Sequence, residues 1–178
     1  MGADVSQGLK LDYSVLDVYR VDTKEQVAQF RSNTIKPFAF GKKILDIAEL
    51  YHAGGRPWPK IAVELNNHGH AVNGYLRETA RYSNLYEYKD GTQGWLTNTV
   101  TRPLMIDCFI DGVESGMIKL NSLDTLGECL TLVNDGGKIE ATEGENDDTI
   151  IAASIGIQMI MKDAPSDLWD NLSKRILV

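Results

Sequence analysis

Two carboxylates stand inside apolar runs. Asp4 lies between Ala3 and Val5 in GADVSQ (residues 2–7), and Glu64 follows Val63 in KIAVEL (residues 60–65). A carboxylate in an apolar strand costs several kcal/mol unless it is paired or bound to a metal ion. Exposure at a strand end, or a Lys or Arg partner, explains either residue alone equally well. A third acidic feature is Glu140, Glu143, Glu145, Asp147 and Asp148, five acids with no base between them. A solvated loop and a helix N-terminus account for one or two of these. They account less well for Asp147 and Asp148, because Ile150, Ile151, Ile155 and Met159 follow at once. A cation at that position relieves both repulsion and lost solvation. Neighbouring strands lie about 4.8 Å apart. If the Asp4 strand pairs parallel with the Glu64 strand, the two carboxylates can share one ion, and Asp147 or Asp148 completes the set from a helix packed over the sheet. Oxygen-only ligands suit Mg²⁺ or Mn²⁺. Two such ions about 4 Å apart can drive phosphodiester hydrolysis.

These acids need elements to position them. Residues 2–7, 11–21 and 26–31 have strand composition and short joins, which predicts an antiparallel meander. Residues 36–52 switch to helical spacing, with Phe40, Ile44, Ile47, Ala48 and Tyr51 on one face. Gly54-Gly55 ends that helix, and Pro57 and Pro59 lead into a buried strand at 60–65. Residues 66–69 form a turn and 70–81 a helix. Short strands are expected at 84–88, 94–98, 117–121 and 138–142. Thr101 is the expected N-cap of a helix over 102–115, with Leu104, Met105, Cys108, Phe109 and Val113 inward. Ser122 is the expected cap of a helix that turns Leu123, Leu126, Leu130 and Val133 inward. The helix at 147–161 is apolar on most sides and belongs in the interior. One α/β domain accounts for the whole order.

Composition narrows the class. The chain has 178 residues, 43% of them apolar, with 25 Asp+Glu against 18 Lys+Arg for a net charge of −7. That excludes a disordered or disulfide-rich chain. No apolar stretch is long enough to span a membrane, and the N-terminus has no secretory pattern. Cys108 and Cys129 are far apart in sequence, which suits a reducing compartment. Net acidity argues against a protein that coats nucleic acid, except where bound cations supply the positive charge.

Four segments then match a known family in order and approximate spacing: GADVSQG at the start, VELNNHG at 63–69, GWLTNTVTRP at 94–103 and EATEGENDDTIIA at 140–152. Over residues 2–161 the chain resembles the C-terminal nuclease domain of the large terminase subunit of tailed double-stranded DNA phages. The resemblance implies a ribonuclease H-like α/β fold, a mixed sheet in which an antiparallel meander is followed by parallel strands, with helices on both faces. It implies a metal-dependent endonuclease that cleaves concatemeric double-stranded DNA with Mg²⁺ or Mn²⁺. Asp4, Glu64 and Asp148 take the catalytic positions, with Asp147 a further metal ligand. Asn66, His68, Arg102 and Glu145 become supporting or DNA-contacting residues. The implied partners are double-stranded DNA, the terminase ATPase domain, the small terminase subunit and the portal, in the host bacterial cytoplasm. The family often has His beside the third acid, where this chain reads Gly-Glu-Asn-Asp-Asp. No GxxxxGK(S/T) phosphate loop occurs in the 178 residues. The expectation is therefore a single nuclease domain, core about 2–161 and tail 163–178, without the ATPase motor.

Other motifs are weaker. His68 and His70 lack the remaining ligands of a zinc site. No GxSxG nucleophile elbow is present. Lys42, Lys43, Arg56, Lys60, Arg77, Arg81 and Arg102 flank the site in sequence and are candidates for a DNA-facing rim, each with a solvated surface as the alternative. Phe38, Phe40 and Trp58 are expected in the core. Two rival functions use the same residues: a resolvase or transposase core acting on a different DNA shape, and a non-catalytic module that binds protein through its acids.

Overall fold

The computed structural model describes residues 1–88, 91–135 and 138–162. The expected Gly136-Gly137 turn and the tail at 163–178 lie outside the described residues. The first strand, β1 (Gly2–Asp4), is followed by β2 (Ser14–Arg20) and β3 (Glu25–Ser32). These pair antiparallel in sequence, as the strand composition predicts. The fourth strand, β4 (Ala62–Val63), joins on the other side of β1 and runs parallel to it, giving the order β3-β2-β1-β4. A separate hairpin is formed by β5 (Leu132–Asp135) and β6 (Lys138–Ala141).

Alternation along the strands sends two sets of side chains to two helical layers. Ala3, Val5, Leu16, Val18 and Val63 pack with Phe40, Ile44 and Ala48 of α1 (Pro37–His52), and with Val72 of α2 (Gly69–Gly74). The helix α2 runs directly into a π-turn at Tyr75–Thr79. Tyr19 and Ala62 point the other way. They meet α5 (Asp148–Lys162) and α3 (Thr101–Glu114), through clusters built on Ile150, Ile155, Ile157, Met105 and Phe109. Thr149 to Met161 of α5 are all buried, so this helix is the central post of the second layer. A Cβ at Gly2 would lie 2.3 Å from Ala152 O and 2.4 Å from Gly156 N. Only glycine lets β1 and α5 approach this closely, and that approach brings the ends of β1 and α5 together.

Several expectations change. Residues 84–88, 94–98 and 117–121 contribute isolated bridges rather than strands, at Leu85, Glu87, Trp95 and Lys119. Thr101 is the first residue of α3 rather than its cap. Val100 holds the cap position without a side-chain cap bond, Asn98 Oδ1 accepts from Val100 N and Thr101 N in the approach, and Thr101 Oγ1 donates to Leu96 O. On α3, Ile106 and Gly112 are buried, and Leu104 is 45% exposed. Phe38 is also exposed and packs edge-on against Tyr75 rather than into the core. The largest reversal is in α4 (Leu123–Cys129). Ser122 does cap it, accepting from Thr125 N at 3.2 Å. Leu123, Leu126, Leu130 and Val133, however, face outward, and Thr125 and Glu128 face in. The reason lies on β3: Gln26 and Gln29 point toward α4, and Gln29 Nε2 donates to Thr125 Oγ1 at 2.8 Å. A polar sheet face selects the polar helix face.

Candidate active site

The parallel pairing of β1 with β4 puts Gly2 opposite Ala62 and Ala3 opposite Val63. One residue further, Glu64 N donates to Ala3 O at 2.9 Å, so Asp4 and Glu64 leave the sheet side by side. Asp4 and Glu64 are 8% and 9% exposed, too little for free solvation to hold both charges. Burial pushes Asp4 well above the usual carboxylate range. The Glu64 charge, a hydrogen bond with that carboxyl and the Asp148 charge add to the rise, and the Val5 N–H opposes it. Two buried carboxyls in contact hold a proton between them unless a cation takes its place.

Glu64 is held from behind. Asn66 Nδ2 donates to Glu64 Oε2 at 2.6 Å and to Val5 O at 3.1 Å. Asn66 Oδ1 accepts from His68 N and Gly69 N, which closes the turn. A Cβ at Gly69 would lie 1.8 Å from Glu64 O, so only glycine permits the turn to fold back onto the strand end. Asp148 arrives at the first turn of α5. Its Oδ2 accepts from Tyr13 N at 2.8 Å, in the loop before β2. Burial raises Asp148 to about 7, with Asp12, Glu128 and Asp147 adding repulsion and the Tyr13 N–H opposing it. Asp147 behaves differently: Arg102 Nη2 donates to Asp147 Oδ2 at 2.5 Å.

These residues line one cavity of about 420 Å³ that contains Asp4, Glu64, Asn66, His68, Arg102, Asp147 and Asp148. Of the site residues that the resemblance implies, Glu145 is the one left outside. It is exposed on the loop after β6. Of the expected basic rim, Arg102 alone lines this cavity. Arg56 and Lys60 line a second one, at the other end of α5 beside Gly156 and Ile160. Sequence reasoning missed Tyr13, whose contribution is a backbone N–H and carries no side-chain signal. It also missed Glu128, hidden in a helix that reads as a leucine stripe.

No family model and no curated protein matches the sequence. Solved structures do. The large terminase nuclease from thermophilic phage G20c, in a crystal structure with bound cobalt, superposes with a TM-score of 0.68 at 16% identity, over 88% of this chain and 78% of that one. Its structure with bound magnesium gives 0.67 at 17% identity, over 88% and 78%. The large terminase nuclease domain of Thermus phage P74-26 gives 0.58 at 15% identity, over 87% and 75%. This is the large-terminase nuclease fold. Within that fold the four segments that carried the resemblance fall at β1, at the turn after β4, at the approach to α3 and at the entry to α5.

The donor set of the cavity suits a divalent cation. Asp4, Glu64 and Asp148 offer carboxylate oxygens only, and the Asp4–Glu64 pair carries repulsion that a cation would cancel. Among the described residues, no three His, Cys, Asp or Glu side chains are already gathered closely enough to hold an ion. Asp4 and Glu64 are engaged with each other, and Asp148 with the Tyr13 N–H. Among the described residues, no helix is long and apolar enough to cross a membrane.

Proposed function

We propose that this chain is a divalent-metal-dependent endonuclease that cleaves double-stranded DNA, cutting concatemers into genome units during phage packaging. The observation that carries the reading is the juxtaposition of Asp4 and Glu64 at the ends of adjacent parallel strands, in a cavity that also holds Asp148 and Arg102. Asp4, Glu64 and Asp148 would hold Mg²⁺ or Mn²⁺, as one or two ions. Bound ions would supply a water nucleophile at neutral pH and charge stabilisation for the phosphoryl oxygens. The chain's own groups do the rest. Asn66 fixes the Glu64 carboxylate, and the Tyr13 N–H orients Asp148. Arg102 lines the cavity as a bidentate-capable cation suited to a DNA phosphate. Asp147 serves in this reading as the anchor of Arg102 rather than as a ligand. His68 lines the same cavity and would be available to a DNA phosphate there. Glu145 takes no part. The terminase ATPase domain, small subunit and portal would deliver the DNA and raise its effective concentration at the site.

Plasmid nicking with added Mn²⁺ tests the reading, with Asp4→Asn and Glu64→Gln as the decisive variants. Nicking undiminished in either variant overturns these roles. A strong preference for branched DNA would replace the packaging reading with a resolvase-type one. Lack of saturable Mn²⁺ binding would favour a protein-docking role for the acids.

A further inference from the structure

Asp148 is the one candidate ligand that does not sit on the sheet, so something must fix where its carboxylate points. A closed circuit of contacts does this from outside the cavity. Asp148 Oδ2 accepts from Tyr13 N at 2.8 Å. The Arg31 guanidinium lies over the Tyr13 ring, 3.6 Å from its centroid. Arg31 Nη2 donates to Glu128 Oε1 at 3.3 Å. The other Glu128 oxygen, Oε2, accepts from Thr149 N at 2.9 Å, from Thr149 Oγ1 at 2.6 Å and from Ile150 N at 3.4 Å. Thr149 is the residue after Asp148, so the circuit closes on its starting point. Neither Arg31 nor Glu128 lines the cavity.

Each link is of a kind that holds direction. A carboxylate accepting several donors at a helix start fixes that first turn. Glu128 is 8% exposed, so its charge is committed to these partners and to Arg31. Cation–π stacking sets the plane of Tyr13 and with it the path of the loop that supplies the N–H. One oxygen of Asp148 is thereby tied to the backbone, and Oδ1 is left for a cation. We propose that Arg31 and Glu128 are positioning residues that orient Asp148 toward a divalent ion from outside the cavity, through Tyr13 on one arm and Thr149 on the other. This rests on the metal-site reading above. It adds that metal affinity is governed by an ion pair shared between β3 and α4.

The experiment is calorimetric titration of the 178-residue chain with Mn²⁺, at a temperature where each variant is folded by circular dichroism. Partners behind a metal ligand typically change affinity about 10- to 100-fold. Arg31→Met is expected to weaken Mn²⁺ binding about 10-fold, and Arg31→Lys to recover part of the loss. Asp124→Ala removes the exposed contact that Arg31 Nη1 makes at 3.2 Å and leaves the circuit whole, so its affinity should match the wild type. Where Arg31→Met fails to fold, Tyr13→Leu substitutes for it, since it removes the stacked ring and keeps the backbone donor. A few-fold loss there supports the circuit, and no loss overturns it. Wild-type affinity in a folded Arg31→Met overturns the circuit alone. A wild-type chain that takes up no Mn²⁺ overturns the metal reading and the circuit together.

Discussion

The second layer of the molecule contains buried acids in two regions that are solved in opposite ways. Between β2, β3 and α4, acids meet donors. Asp17 Oδ1 accepts from Gln26 Nε2 and Gln29 Nε2, and Glu128 accepts from Thr149, Ile150 and Arg31. At the ends of β1 and β4, acids meet acids. Asp4 contacts Glu64 and feels Asp148, while Arg102, which lines the same cavity, is paired with Asp147. A chain selected only for stability has no reason to keep the second arrangement, because unpaired buried charge is the costliest kind. The difference separates polar burial that builds the fold from polar burial that waits for a ligand.

The largest effect should come from the acid–acid end. Asp4→Asn or Glu64→Gln is expected to reduce Mn²⁺-dependent nicking at least about a thousandfold, equivalent to about 4 kcal/mol in the barrier. The same variants should raise the melting temperature in chelator, since each removes one of two repelling carboxyls. Gel assay and calorimetry on one preparation read both. A variant that is inactive but also less stable in chelator would place this pair with the structural acids and erase the contrast.

The donor-rich region has its own weak point. Asp17 is fully buried, and its Oδ2 has no hydrogen-bond partner among the described residues. Burial raises it to about 7, against the two amide donors, which lower it. A raised acid favours the folded state fully below its unfolded value, near 4, and that contribution is lost as pH rises through 7. Stability attributable to Asp17 should therefore fall between pH 4 and pH 8, by no more than about 4 kcal/mol for a shift of this size. Asp4 and Asp148 act in the same direction, and the Met1 amine, lowered to about 5 by burial, acts in the opposite one. The Asp17 share is thus the difference in slope between the wild type and Asp17→Asn in chelator. Parallel slopes would mean that the glutamine donors compensate the charge completely.

Glu128 should show what a satisfied acid is worth. Glu128→Ala leaves Arg31 without its buried partner and uncovers the Thr149 and Ile150 donors, at an expected cost of about 3 kcal/mol. Urea denaturation at pH 7 measures it. A cost under 1 kcal/mol would show that α5 needs no carboxylate at its start.

The acid–acid end was readable in sequence because its signal is local. Asp4 and Glu64 each interrupt an apolar run, and Asp147-Asp148 abut the longest apolar helix, so composition alone marks three places of high electrostatic cost. The parallel pairing that unites the first two is a statement about topology, and the structure bears it out. The same holds for α1 and for the buried α5, whose periodicity is strong. The donor-rich region was not readable. Its members, Asp17, Gln26, Gln29, Arg31, Thr125, Glu128 and Thr149, come from four elements, and none is unusual where it stands. Hydrophobic periodicity reported that α4 is amphipathic, but it could not report which side meets the sheet. Gln26 and Gln29 decide that, from roughly a hundred residues earlier in the chain.

The reversal of α4 supplies the smallest effect and the sharpest contrast. Leu123 is 83% exposed on the seven-residue helix whose Glu128 is buried, and Leu130, the C-cap of that helix, is 88% exposed. Surface positions away from special contacts usually shift stability by less than about 0.5 kcal/mol. Leu123→Ser and Leu130→Ser should therefore leave the urea midpoint unchanged, while Glu128→Ala, two residues from Leu130, lowers it. The usual order for a helix is inverted here: the leucines are expendable and the glutamate is not. The inversion follows from what α4 is packed against. If either serine variant cost about 2 kcal/mol, the range of a leucine removed from a core, the helix would be seated on its apolar face after all. The polar layer between β3 and α4 would then lose its claim to hold the start of α5.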